Sequence, residues 1–259
     1  KFLFFREIYR LKFILQKSSD ICAISKSYLN WAEQYSNRSI EEKNIFYIGY
    51  KKQTTVNDKK IWESFLIEKD VPFKKKYITF SGTFCESYDL SPISKAAMIL
   101  KEKGYTDFHF LIAGGGNLPK NILEEIKNSS DISFLGWLNK KELNFCLNNS
   151  YAGLAPYSKE ALMSLPNKFF EYLAYGLPIL SSLKSEMEVL INQRKLGFNY
   201  YSQSPESLAS AIIKLDNNFK SKSSRNLILK EFEKNFSGDK IYFKFAEFVK
   251  RTFNTNSKS

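Results

Sequence analysis

The chain has 259 residues, 43% of them apolar and 16% aromatic, with 39 Lys and Arg against 27 Asp and Glu for a net charge of +12. That apolar share supports a substantial buried core, which excludes a disordered tail, a collagen and a disulfide-stapled miniprotein. The length suits one large or two modest domains.

Cys22, Cys85 and Cys146 are far apart and form no CxxC pair. This argues for a reducing compartment and against a thiolate metal site, and a cytoplasmic location is expected. His109 is the only histidine, so neither an HExxH zinc site nor a two-histidine iron site can be assembled; a Ser-His-Asp triad would have to use that one residue. Apolar runs such as Phe108 to Ala113 fall far short of the ~18–20 residues that cross a bilayer. The chain opens on Lys1 and runs straight into a periodic helix without a signal-peptide pattern, and a piece of something longer is expected.

The charge is uneven. Residues 1–76 carry 16 basic and 9 acidic side chains, residues 77–200 carry 12 of each, and residues 201–259 carry 11 and 6. A nucleic-acid reader usually shows a basic stripe on its central fold. The neutral centre therefore speaks against a nucleic-acid partner.

In chain order, Phe4, Ile8, Leu11 and Leu15 share one helical stripe while Arg6, Arg10 and Lys17 lie off it, a basic amphipathic helix. Packing on its own domain and lying on an anionic membrane both fit this pattern. Ser19 to Ser25 reads as a short buried strand, Lys26 to Tyr35 as a helix and Asn44 to Ile48 as a second strand. Residues 51–60 are polar and suit a linker; a short helix, Ile61 to Glu68, then leads to the run Lys74-Lys75-Lys76, which reads as a solvated edge.

From there the pattern alternates. Strands are expected at Tyr77–Ser81, Phe108–Ala113, Ile132–Leu135, Tyr151–Ala155, Pro178–Ser181 and Phe198–Tyr201. Helices are expected at Leu90–Lys103, Leu118–Lys127, Lys140–Leu147, Asn167–Tyr175, Glu186–Asn192 and Pro205–Leu215. Such alternation specifies an α/β fold whose parallel sheet has helices on both faces, because each parallel crossover needs a covering element. Two further helices, Ser224–Asn235 and Lys240–Phe253, precede a polar tail, Asn254–Ser259, expected to be disordered.

Ligands of open parallel sheets bind at the carboxyl ends of the strands, where four loops qualify. Gly82-Thr83-Phe84 offers close backbone approach and a hydroxyl donor. Gly114-Gly115-Gly116-Asn117 offers bare backbone but matches neither GxGxxG nor GxxxxGK[ST], and a simple turn fits it as well. Gly136-Trp137-Leu138 could present an indole to a flat base, although a Trp after a strand more often joins a core. In the fourth, Pro166 suits a first helical turn whose free amides and dipole favour an anion. Glu171 lies one turn beyond Asn167, where its carboxylate could accept both hydroxyls of a ribose, and Lys168 could neutralise phosphate charge. An exposed helical Glu and Lys is the plainer reading of that spacing.

The run SLPNKFFEYLAYGLPIL (164–180) resembles the nucleotide-sugar motif of family 4 glycosyltransferases of the GT-B fold, in particular the bacterial polysaccharide branch with P-x-K-x-x-E-Y-L-A-x-G-x-P. SSDICAIS, FSGTF with SYDL, FLIAGGGN, ISFLGW and LGFNYYSQSPESLASAI resemble further segments of that family in the same order.

The resemblance implies a GT-B-like, Rossmann-like donor domain with a remnant of the acceptor domain, truncated at the N-terminus. Its domains would be residues 1–52 (the last part of the acceptor side), 53–76 (linker), 77–215 (nucleotide-sugar binding) and 216–259 (C-terminal helices and tail). It implies metal-independent transfer from a nucleoside diphosphate sugar, with UDP the expected carrier and no other cofactor, to a polysaccharide or lipid-linked glycan. The enzyme would be cytoplasmic, with peripheral attachment to the anionic inner face of the plasma membrane suggested by the basic ends.

Donor-binding residues carried over are Gly82, Thr83, Gly114, Gly115, Gly136, Trp137, Leu138, Pro166, Asn167, Lys168 and Glu171; no catalytic residue is assigned. Glu171 matches the second acid of the family's E-x7-E motif, whereas Met163 stands at the first, with Glu160 nearby but off register. The usual Arg and Lys after the first strand are missing. A non-catalytic nucleotide-sugar-binding module or partner subunit is the alternative reading.

Overall fold

The computed structural model describes residues 2–51, 58–219 and 222–256. Within the expected linker, positions 52–57 lie outside the described residues, as does the tail from 257. The chain forms two compact units, Lys52–Phe232 and Lys1–Lys51 with Glu233–Ser259.

In the larger unit, α3 (Lys59–Glu68) precedes six strands, β1 (Lys76–Phe84), β2 (Phe108–Gly116), β3 (Ile132–Gly136), β4 (Ala152–Ala155), β5 (Ile179–Ser181) and β6 (Gly197–Asn199). They alternate with α4 (Pro92–Glu102), α5 (Lys120–Asn128), α6 (Lys140–Asn149), α7 (Asn167–Ala174), α8 (Glu186–Gln193) and α9 (Pro205–Asn218). All pairs are parallel, in the order β3-β2-β1-β4-β5-β6. Apolar runs dominate the central strands because both sheet faces are covered. Ile78, Phe80, Phe110 and Ile112 pack with Ala97 and Leu100 of α4 and Leu208 and Ile212 of α9. On the other face Tyr77, Leu111 and Ala113 meet Trp62, Phe65 and Cys146.

The strand order reverses at β1. The chain moves outward to β2 and β3, then returns to place β4 on the other side of β1, leaving a crevice between the carboxyl ends of β1 and β4.

Two expected loops prove to be strand. β1 and β2 stay in register through Gly82↔Gly114, Thr83↔Gly115 and Phe84↔Gly116. Gly114 adopts φ +137°, and a Cβ there would collide with the Gly82 carbonyl. The glycines therefore serve close strand approach, not a turn.

In the smaller unit, α1 (Phe2–Lys17), α2 (Lys26–Ser36) and, after α10 (Lys222–Asn235), α11 (Gly238–Asn256) dominate. α2 is capped by Ser25, whose hydroxyl accepts from Tyr28 N, and it ends at Asn37 in the left-handed region. Leu29, Ala32, Ile21 and Ile40 form its core, and Phe46 packs on Phe245 and Phe248 of α11.

The two strands expected at 19–25 and 44–48 shrink to a single parallel bridge, Ala23↔Ile45. Side chains take up backbone groups that a ladder would use: Asp20 Oδ1 accepts from Ile21 N at 2.8 Å and Asn44 Nδ2 donates to Ile21 O at 2.9 Å. The expected tail is helical as far as Asn256. Among the described residues no helix is long and apolar enough to cross a membrane.

Candidate functional site

The crevice between β1 and β4 is bounded by loops stitched to each other. Asp89 N donates to Pro156 O at 2.7 Å, Ser158 N donates to Ser87 O at 2.9 Å, and Tyr88 bridges Tyr157, their rings 5.1 Å apart. Asp89 also accepts from Ser202 Oγ and Gln203 N, both at 2.8 Å, which ties in the loop after β6.

α7 opens into this crevice. Its N-cap is Pro166, which supplies no side-chain acceptor, and Asn167 is exposed. The helix is held from behind. Phe169, Phe170, Tyr172 and Leu173 are fully buried, and Tyr172 Oη donates to Leu154 O at 2.8 Å. The first-turn amides thus stand at the switch point, where the helix dipole favours an anion.

Lys168 is not the exposed helical lysine of the plainer reading. Only 7% of it is accessible. Its Nζ lies over the rings of Phe80 (4.9 Å), Tyr88 (5.8 Å) and Tyr172 (5.8 Å). A Cβ built on Gly82 would lie 3.2 Å from that Nζ, so the space above Gly82 on this face belongs to Lys168. Burial pulls the Lys168 pKa down to about 8, with the Glu171 carboxylate opposing the fall. Glu171 itself is half-buried. Tyr175, at the far end of α7, is buried, with its Oη donating to Asn144 Oδ1.

The remaining expected residues divide. Thr83 is exposed at the end of β1. Gly114 is buried in the ladder and turns no free surface to the crevice, whereas Gly115 and Gly136 have open space above them. Trp137 is 73% exposed, against the general expectation that a Trp after a strand joins a core. Leu138 packs against the cluster of Trp62 and Phe65. β3 lies two strand spacings from β1, about 10 Å, so the indole and the α7 mouth stand well apart along one edge. Gly82, Pro166, Asn167, Lys168 and Glu171 do come together.

Sequence reasoning missed the Tyr88–Tyr157 stitch and the Asp89 tie. SYDLSP carried a signal for the second, an Asp two residues ahead of a Ser-Pro helix start, where Asp89 Oδ1 accepts from Ser91 N. It also missed Lys184, whose Nζ sits 4.6 Å from the ring centre of Tyr201 across the loops after β5 and β6.

A six-stranded parallel sheet with this order and crevice is the architecture of GT-B glycosyltransferases. Residues 75–218 match the family described as "Glycosyl transferases group 1", and the chain belongs to it. Among solved structures it is similar to a sucrose-phosphate synthase from Thermosynechococcus elongatus (13% identity, TM-score 0.73, 96% of this chain and 62% of that one). It is also similar to HepE from Anabaena (12%, 0.72, 93% and 66%) and to a glycosyltransferase from Rickettsia africae (17%, 0.68, 94% and 67%). The chain thus spans less than two thirds of the length of the first two. No curated protein matches it.

Proposed function

We propose that the chain carries the donor side of a family 4-like glycosyltransferase that moves a sugar from a nucleoside diphosphate sugar, UDP-linked, to a polysaccharide or lipid-linked glycan. The observation that carries this reading is the uncapped amino end of α7 at the switch point, with Glu171 one turn further in. In this reading the diphosphate sits on the Asn167 and Lys168 amides, Glu171 accepts from the ribose hydroxyls and Trp137 stacks on the base. Thr83, Gly115 and Gly136 line the strand ends. Charge on the departing diphosphate is met by helix amides and Lys168, an arrangement that asks for no metal ion. Structures of the similar HepE hold UDP and UDP-glucose, which supports the choice of carrier.

Calorimetric titration with UDP, GDP, their sugars and inorganic pyrophosphate tests the proposal. UDP should bind, and Glu171→Ala should weaken UDP about tenfold while sparing pyrophosphate, because only the nucleotide brings a ribose. Failure of all nucleotides to bind overturns the reading.

One observation favours the non-catalytic alternative. Met163 stands eight residues before Glu171, and the nearby Glu160 side chain is 68% exposed and paired with Lys159 at 3.7 Å. Donor hydrolysis or transfer by the protein, lost in Glu171→Ala, would exclude a mere binding module.

The membrane-facing part of the proposal rests on α1. Phe5, Tyr9 and Phe13 form an outward row, 70%, 78% and 58% exposed, beside Arg6 and Arg10. Binding to vesicles should rise with anionic lipid content and fall with salt; indifference to both overturns attachment to the inner face of the plasma membrane.

A further inference from the structure

A nucleotide sugar seated as proposed crosses the sheet in one direction. With its base at Trp137 beyond β3 and its diphosphate at the mouth of α7, the molecule runs along the order β3-β2-β1-β4. The sugar, bonded to the outer phosphate, then lies on the β4 side of the crevice. The segment on that side is the loop that joins β4 to α7, residues 156–166.

The loop is fixed at both ends. Ser158 N donates to Ser87 O at one end. At the other, Ser185 Oγ donates to Ser164 O at 2.6 Å and Ser164 Oγ donates to Glu186 Oε2 at 3.1 Å. Between these anchors the chain turns back on itself, Ala161 N donating to Ser158 O at 3.1 Å. The polar side chains of the segment are already engaged or enclosed. Ser158 Oγ is sealed from solvent, Lys159 and Glu160 pair with each other at 3.7 Å, and Ser164 Oγ serves Glu186. What the turn presents outward is Leu162, 96% exposed, with the half-buried Met163 beside it. Two adjacent apolar side chains on an anchored loop, directly before the helix that receives the diphosphate, form a lip and not a stray surface leucine.

We infer that Leu162 and Met163 select the donor sugar: the site takes a hexose that carries a methyl group, in an acetamido substituent or at a 6-deoxy position, in preference to the fully hydroxylated hexose. This deepens the donor-site reading and rests on it. It concerns affinity, so it holds for a binding module as for a transferase. A hydroxyl laid against the lip loses its water and finds no acceptor on either side chain. A methyl group laid there takes apolar surface of both partners out of water.

Calorimetric titration of the full chain with UDP, UDP-glucose, UDP-6-deoxyglucose and UDP-N-acetylglucosamine reads the preference, and the last two distinguish the positions of the methyl. At least one methyl-bearing donor should bind about fivefold more tightly than UDP-glucose. The double variant Leu162→Ser, Met163→Gln should bring that donor to within about twofold of UDP-glucose. It should leave the affinity for UDP itself unchanged, since UDP carries no sugar.

Circular dichroism melting identifies folded protein. Leu162→Ser alone, at a position almost wholly in water, keeps the fold and should narrow the same gap, so the comparison survives a double variant that does not fold. UDP-glucose bound as tightly as both methyl-bearing donors, or a preference that persists undiminished in the folded variant, overturns the inference while UDP binding keeps the donor site standing. Absence of UDP binding by the wild type overturns the donor-site reading and this inference with it.

Discussion

Arg225 of α10 donates from Nε to the carbonyl of Tyr175 at 2.9 Å, at the point where α7 ends. The same guanidinium reaches the carbonyls of Asn148 at 3.0 Å and of Leu147 and Ser150 at 3.4 Å, around the end of α6. Both helices leave carbonyls without intrahelical partners there, and one planar fork serves them together. Gly176, with φ +67°, permits the approach, since a side chain there would press on the Arg225 stem. The far end of the helix whose mouth faces the crevice is therefore anchored by an element outside the sheet.

Removing that fork should cost stability without touching a ligand. Arg225→Met keeps the apolar stem and leaves the carbonyls of Tyr175 and Asn148 unserved. A loss of about 2 kcal/mol is expected from denaturant titration. Arg225→Lys should recover less than half, because an ammonium cannot span both helix ends. Full stability in Arg225→Met would show that water serves these carbonyls equally well.

Gly153 sets the seat of α7 on the sheet. A Cβ on this β4 residue would collide with the ring of Tyr172, which is fully buried. Gly153→Ala should therefore destabilise the protein by about 1–3 kcal/mol through overpacking. It should also weaken UDP binding by lifting the α7 amides off their position. A melting temperature equal to that of the wild type would mean that the helix has room to shift, and the close seat would then have no energetic meaning.

The strands of the larger unit were legible because each is a short apolar run followed by a helical period, and a parallel sheet buries both faces. What the pattern concealed lay in glycine and in polar side chains. Gly82-Thr83-Phe84 and the three glycines at 114–116 read as loops by composition, yet the ladder continues because backbone pairing needs no side chain. Asp20 and Asn44 turned two expected strands into a single bridge by binding nearby backbone groups. At the site, the spacing of Lys168 and Glu171 was visible, but not that Lys168 points inward. Its surroundings, Phe80 and Tyr88, come from β1 and the loop after it, some eighty residues earlier in the chain. Arg225 had no local signal at all, since its partners lie 50 to 78 residues away.

His109 makes an acid-sensitive contribution to stability. It is 2% exposed in β2, with Nε2 2.8 Å from Ser133 Oγ. Burial lowers its pKa from 6.5 to about 4, the Asp131 carboxylate opposing. The unfolded chain therefore binds a proton between pH 6.5 and 4 that the folded chain refuses. Stability from this group is complete above pH 6.5 and is lost progressively as pH falls to about 4. The whole span amounts to roughly 3 kcal/mol. His109→Gln should flatten this limb in denaturant titrations at pH 7 and pH 4.5. Parallel losses in the two proteins would assign the acid limb to carboxylates alone.

Trp137 provides a test that separates binding from stability. Because the residue is 73% exposed, Trp137→Ala should change stability by less than about 0.5 kcal/mol. If its indole stacks on the base of a bound nucleotide, the same variant should lose about 1–3 kcal/mol of UDP affinity. Pyrophosphate has no base and should bind both proteins alike. Trp31 and Trp62 remain in the variant as internal references, so quenching on UDP addition that is present in the wild type and absent in Trp137→Ala locates the base at the end of β3. Equal UDP affinity in the two proteins would remove Trp137 from the donor site and leave the diphosphate and ribose contacts at the mouth of α7 as its anchors.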